Sequence, residues 1–278
     1  MSIKTTKLIA AIEDFAPLQL QESWDNSGWQ INPGREETAR ILVALEIINP
    51  VIEEAKRLRA DFILTHHPLL FVPVKRIDYG DITGGYVASL ISAGIGVYSA
   101  HTSFDAAPGG MNDSLAELIG LVNVVPFPPI GEIVAMDVLP GDGGHELKTQ
   151  IARAGEFETP MTFRDVCRRV ERVLGMKGRL KTVGDPDTLI EKVALCGGGG
   201  GDLVEAAIKS DCRLYITSDV KHHQAQWAKE RGLCLIDGGH DGTEKHFITV
   251  AAKYLRETLG ENAEVIETAV SADPFKFK

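Results

Sequence analysis

The chain has 278 residues, 44% of them hydrophobic and 24% charged, with a formal net charge of −10. That size and composition predict a globular protein of one large or two smaller domains, whose core needs no disulfide staples. The acidic balance argues against a nucleic-acid backbone or an anionic membrane as the main partner, since both demand basic surface; a phosphate held at one local site stays compatible. No stretch reaches the roughly 18 apolar residues that span a bilayer. Glu13 and Asp14 lie close behind the first apolar residues, so the N-terminus reads as an amphipathic helix and not as a secretory leader. A cytoplasmic protein is expected. Cys167, Cys196, Cys212 and Cys234 form no C-x-x-C pair and read as buried thiols.

Behind the N-terminal helix, Arg40–Ile48 (RILVALEII) predicts a buried strand. Asn49 and Pro50 then start a helix, with Asn49 as cap, that continues over Val51–Arg59. Asp61–Thr65 predicts a strand, Thr83–Ala93 a helix, Ile95–Ser99 a strand, and Asn112–Ile119 a helix closed by Gly120. Val125–Ile130 (VPFPPI) is a proline-rich break, and Gly131–Ala154 reads as a connector or an inserted hairpin. Thr162 and Asp165 form a capping pair for a helix ending near Gly175. Strands follow at Arg179–Val183 and Lys192–Cys196, then the glycine run Gly197–Gly201 and a helix at Asp202–Lys209. Next come a strand at Arg213–Thr217, a helix at Lys221–Arg231 and a strand at Leu233–Asp237. A helix over Thr243–Leu259 and a strand at Glu264–Thr268 close the chain. Such alternation predicts an α/β fold with largely parallel sheets, and the proline break predicts two α/β halves.

The polar residues cluster just past predicted strands: His66 and His67, then His101 and Asp105, then Ser218 and Asp219, then His240 and Glu244. In open α/β sheets that carboxyl edge is where ligands bind. His240 and Glu244 are four residues apart at a helix start, so both can face one way. Imidazoles and carboxylates without thiolate suit Zn, Mn, Fe, Co or Ni. Five such donors, His66, His67, Asp105, His240 and Glu244, exceed the needs of one catalytic zinc and match a two-ion site with a bridging carboxylate.

Each piece alone has a plainer reading. His66-His67-Pro68 is compatible with a capped turn, Asp105 with a turn former, and His240 with Glu244 as a dipole-favoured helix start. The joint pattern favours metal. The glycine run either cradles an anion or is only a tight turn; it is neither a P-loop nor a dinucleotide fingerprint. His222 and His223 read as a solvated helix face or as substrate contacts. The loop at Trp24 and Asp25 either packs against the active edge or is ordinary loop packing. No nucleophile elbow occurs, which argues against a serine hydrolase.

Taken together, Trp24–Gln30 (WDNSGWQ), Thr65–Phe71 (THHPLLF), His101–Asp113, Leu195–Gly201, Thr217–Gln224 and Gly238–Glu244 resemble the NIF-three-like family of dinuclear-metal hexameric proteins, also called GTP cyclohydrolase I type 2-like. The resemblance implies two related α/β domains with the metals in the cleft between them. The first would span 1–125, with 240–278 packed on it; the second would span 126–239 with an insertion near 131–154. It further implies two divalent ions, with His67 and Asp105 on one, His66 and His240 on the other, and Glu244 bridging both. His101, Asp219, His222, Trp24 and Asp25 become outer-shell or substrate candidates. The implied activity is hydrolysis of a nucleotide by water activated between the ions, in a homohexamer that takes a small-molecule substrate. Attack on a phosphoester and non-catalytic metal delivery are the alternatives. Two departures from the family pattern stand out: the Asp241-Gly242-Thr243 stretch, and a glycine in the glycine run where serine is common. Neither is expected to touch a metal ligand.

Overall fold

The aliphatic runs become strands and the amphipathic segments become helices. The structure, a computed structural model, describes residues 1–128, 135–136, 145–146 and 151–276. It comprises two units, Met1–Ala107 with Phe247–Lys276, and Pro108–His246.

The first unit starts with β1 (Ile3–Lys4), α1 (Thr5–Phe15), β2 (Gly28–Ile31), β3 (Glu37–Thr38) and β4 (Arg40–Ala44). It continues with α2 (Asn49–Leu58), β5 (Phe62–Thr65), α3 (Ile82–Ala93), β6 (Gly96–Ser99) and α4 (Thr102–Ala106). The second unit holds α5 (Met111–Ile119), β7 (Val122–Phe127), β8 (Ala135–Met136), β9 (His145–Glu146), β10 (Ala152–Thr162) and α6 (Phe163–Leu174). Then follow β11 (Lys181–Val183), β12 (Leu189–Leu195), α7 (Val204–Lys209), β13 (Leu214–Thr217), α8 (His222–Arg231), β14 (Cys234–Asp237) and α9 (His240–Glu244). The chain returns to the first unit with α10 (Phe247–Leu259) and β15 (Glu264–Glu267).

The first sheet has the order β15-β4-β5-β6-β2. Its first four strands are parallel, and β2 pairs antiparallel with β6. Ile41, Leu42, Val43 and Ala44 are all fully buried, so β4 is covered on both faces, which explains its unbroken aliphatic run. Leu42, Ile63 and Val97 pack with Val51, Ile52 and Ala55 of α2 and Val87 and Leu90 of α3. The second sheet is mixed, in the order β11-β14-β13-β12-β10-β7. β12 pairs parallel with β13 and β13 with β14, and the other described pairings of this sheet are antiparallel. Its core joins Leu115 and Ile119 of α5, Val166 and Val170 of α6, and Val193, Leu214 and Ile236 of the strands.

Several local expectations shift. Asn49 lies inside α2, and Ile48 takes the cap position without a side-chain bond. Pro50 sits in the first turn, where its missing N–H costs nothing. The predicted helix over Thr243–Leu259 is two helices, α9 and α10, with Lys245 and His246 between them. The break at Val125 is instead the end of strand β7, which runs through Pro126 on the edge of its sheet, where a missing donor is tolerated. The 11-residue β10 has no clean alternating pattern, because Gly155 and Pro160 interrupt it. Most of the predicted connector at 131–154 lies outside the described residues; within it, β8 pairs antiparallel with β9.

This layout places the chemistry. β5 ends just before His66 and His67, and β6 just before His101. In the second unit, β12 ends before the glycine run, β13 before Asp219 and β14 before His240. Each unit therefore carries its donors at the carboxyl edge of its parallel strands.

Candidate metal centre

In the first unit the turn after β5 is fastened through backbone and hydroxyls. The N–H groups of His66 and His67 both donate to the Leu45 carbonyl, at 3.1 and 2.9 Å. Thr65 Oγ1 and Ser99 Oγ donate to the His67 carbonyl, at 2.9 and 3.2 Å. His66 is fully buried, and its Nδ1 lies 2.9 Å from the Ala100 carbonyl oxygen. A carbonyl only accepts, so Nδ1 donates to it, and Nε2, which carries a lone pair whenever the ring is a metal ligand, is the nitrogen that faces Asp105. That Nε2 stands 3.8 Å from Asp105 Oδ1. A lone pair beside a buried carboxylate oxygen is an arrangement that a cation stabilises.

His101 repeats the logic with a charged partner. Its Nδ1 donates to Asp25 Oδ1 at 2.7 Å. Asp25 Oδ2 accepts from Ser27 Oγ at 2.8 Å and from Thr102 Oγ1 at 2.5 Å. Burial by itself would raise the Asp25 pKa; the His101 hydrogen bond and charge, with the two hydroxyls, overcome it and hold the carboxyl far below its ordinary value. A carboxylate behind an imidazole is the usual outer support of a metal-binding histidine. Ligand nitrogens of His66, His67 and His101 lie within 4.8 Å of one another. Trp24 and Phe71 set ring edges against His101, with centroids 6.2 and 6.0 Å away.

In the second unit α9 carries two donors on one turn. His240 Nε2 lies 3.1 Å from Glu244 Oε2. His240 Nδ1 lies 2.5 Å from Asp219 Oδ2, so this histidine too has a carboxylate behind it. Burial would lower the His240 pKa, but the Glu244 charge and the Asp219 hydrogen bond push it up to about 11. The site thus favours positive charge between His240 and Glu244, whether a proton or a metal ion supplies it. Asp219 reaches His240 from a left-handed backbone conformation, φ +54°. Non-glycine residues hold that conformation at a cost, and such strain collects at functional sites.

All five predicted ligands thus face other candidate donors of their own unit or, for His67, nitrogens of His66 and His101. Asp25 and Asp219 serve as the carboxylates behind two of the histidines. His222 is exposed, and His223 packs on exposed Trp227 at 4.8 Å, which matches a solvated helix face. The glycine run presents little to an anion. The N–H groups of Gly197, Gly198 and Gly200 are bonded to Asn112 Oδ1, Thr243 Oγ1 and Thr217 Oγ1. One glycine of the run lies against a candidate ligand: a Cβ on Gly198 would overlap Glu244 Oε1. Sequence reasoning missed Ser27, Thr102 and the Ala100 carbonyl as supports of the site. The first two sit in the WDNS and HTSFD motifs, a usable signal, whereas a backbone carbonyl leaves no mark in sequence. Among the described residues no cysteine is in a disulfide.

Imidazoles locked through Nδ1, with carboxylates opposite, fit first-row divalent metals by donor chemistry. Known proteins share the sequence over nearly its whole length, and solved structures share the fold. The chain is 34% identical over 275 residues to the GTP cyclohydrolase 1 type 2 homolog of Clostridium perfringens, covering 99% of this chain and 100% of that one. It is 28% identical to NIF3-like protein 1 of Drosophila melanogaster, over 98% of this chain and 88% of that one. The crystal structure of a Bacillus cereus protein related to NIF3 shares the fold, with TM-score 0.86 and 24% identity over 99% of both chains. The model of the Duf34/NIF3 (NGG1p interacting factor 3) family matches residues 3–274, and the chain belongs to that family.

Proposed function

We infer that the chain binds two divalent metal ions and hydrolyses a nucleotide. The observation that carries the metal reading is the set of three histidines, His66, His101 and His240, each tied through Nδ1 to an oxygen. That tie orients Nε2 for a Lewis acid in advance. His67 and Asp105 would hold one ion, His66 and His240 the other, and Glu244 would bridge them. His101 stands beside His66 and His67 as a further nitrogen. When bound, two such ions lower the pKa of water toward neutrality and stabilise developing negative charge. The protein's part is to keep the carboxylates ionised and the rings oriented. Asp25 does so for His101, and Asp219 for His240. Trp24 and Phe71 shield the His101 side with apolar rings.

The nucleotide substrate is supported by the name of the Clostridium relative, GTP cyclohydrolase 1 type 2 homolog. A phosphoester of a small nucleotide is the second substrate class, because two-ion sites commonly serve phosphoryl chemistry. The protein would act as a cytoplasmic homohexamer. Elemental analysis of purified protein should find close to two ions per chain, and a content near zero after supplementation overturns the metal reading. Loaded protein incubated with GTP and a nucleotide panel should yield an identifiable product. No turnover under any metal loading would leave metal delivery as the function. Light scattering should report about six chains per particle; a monodisperse monomer removes the assembly claim alone.

A further inference from the structure

We propose that Gly198 is the positioning residue for the Glu244 carboxylate, which occupies the space that any side chain at 198 would need. This rests on the reading of Glu244 as a metal ligand. A Cβ at Gly198 would overlap Glu244 Oε1, lie 2.9 Å from Cδ, and lie 3.4 Å from His240 Nε2. The residue also has φ +64°, in the region that favours glycine.

The loop is not free to retreat. The Gly198 N–H donates to Thr243 Oγ1 at 3.0 Å. Its carbonyl accepts from Ser218 N at 3.0 Å, from Ser218 Oγ at 2.6 Å and from Gly200 N at 2.9 Å. Thr243 is fully buried and adjoins Glu244 on α9, so the helix that carries the carboxylate also grips the loop behind it. The Glu244 side chain is only 5% exposed. A methyl group at 198 would therefore displace the carboxylate before it moves the backbone. Metal coordination tolerates only about 0.2 Å of error in ligand distance, so that displacement reaches the metal directly. The neighbouring glycine differs. A Cβ on Gly199 would meet only Asp219 Oδ2, at an ordinary 3.7 Å, and its φ lies outside the positive range.

Titration with cobalt(II) alone, followed by its visible absorption bands, tests the assignment on the full chain. The wild type, Gly198→Ala, Gly199→Ala, Glu244→Ala and the double variant Gly198→Ala/Glu244→Ala are compared, with circular dichroism as the fold control. Gly198→Ala should bind cobalt at least about tenfold more weakly, with shifted bands. Gly199→Ala should stay within about twofold of wild type. The double variant should bind no more weakly than Glu244→Ala, because alanine at 244 vacates the contested space. Wild-type affinity in Gly198→Ala, or a second full loss in the double variant, overturns the assignment while the metal reading stands. Wild-type protein that binds no cobalt overturns both. If Gly198→Ala does not fold, recovery of folding in the double variant supports the contact. Continued misfolding there, with Glu244→Ala folded, overturns it.

Discussion

The two units build their donor sets by different means. In the first, His101 is held by Asp25, whose side chain is fully buried and satisfied by neighbouring hydroxyls. His66 is held by a backbone carbonyl in the interior. In the second, His240 is 41% exposed and its partner Asp219 is 59% exposed. What holds that set is backbone fit: a left-handed Asp219, a one-turn helix and a glycine loop behind Glu244. Buried hydrogen bonds pre-organise by denying water as an alternative partner. Exposed pairs must compete with water and contribute less. The first set should thus keep its geometry without help, and the second should depend on steric limits.

Substitutions on the two sides test that contrast. The largest effect is expected at Glu244, the second unit's buried carboxylate. Glu244→Gln should abolish nucleotide turnover while circular dichroism stays as in the wild type, and retained turnover would place Glu244 outside the chemistry.

Next comes Asp25→Asn. It sets an amide NH2 among donors from Ser27 and Thr102 and removes the charge behind His101. Metal affinity should fall by about 10–100-fold, as for outer-shell carboxylates elsewhere.

Asp219→Asn should cost less, under about tenfold, because asparagine accepts left-handed backbone and water can replace part of the lost contact. A larger loss at Asp219 than at Asp25 in the same titration would reverse the comparison.

The smallest effect concerns the thiols of the second unit. Burial pushes Cys167 up to about 11 and also raises Cys212 and Cys234. Their thiolate fraction grows with pH and, for Cys167, is only about one in a thousand at pH 8. Alkylation of native protein should therefore be slow at pH 8 and quicken on denaturation; fast native labelling of the half-buried Cys167 would contradict its raised pKa.

Much of the candidate site is legible in the sequence. His66, His67, His101 and His240 sit directly behind aliphatic runs, and Glu244 sits four residues beyond His240 in a helix. Such features are local, because strand ends and helical periodicity follow from a few consecutive residues. The elements that escape are those where local signals conflict. Pro126 lies within an edge strand, Gly155 and Pro160 lie within β10, and the predicted helix from Thr243 is broken between α9 and α10.

Composition and local pattern specify which donor types this protein owns and at which strand ends they stand. Their state is set by contacts far apart in the chain. Asp25 meets His101 across 76 residues, and Asp219 meets His240 across 21. Gly198 backs on Glu244 from a different loop. Which ring nitrogen carries a proton, and whether a glycine is a turn or a space for a carboxylate, depend on contacts between distant segments. Those contacts arise when the strands pair and the interior excludes water, and no window of consecutive residues records them.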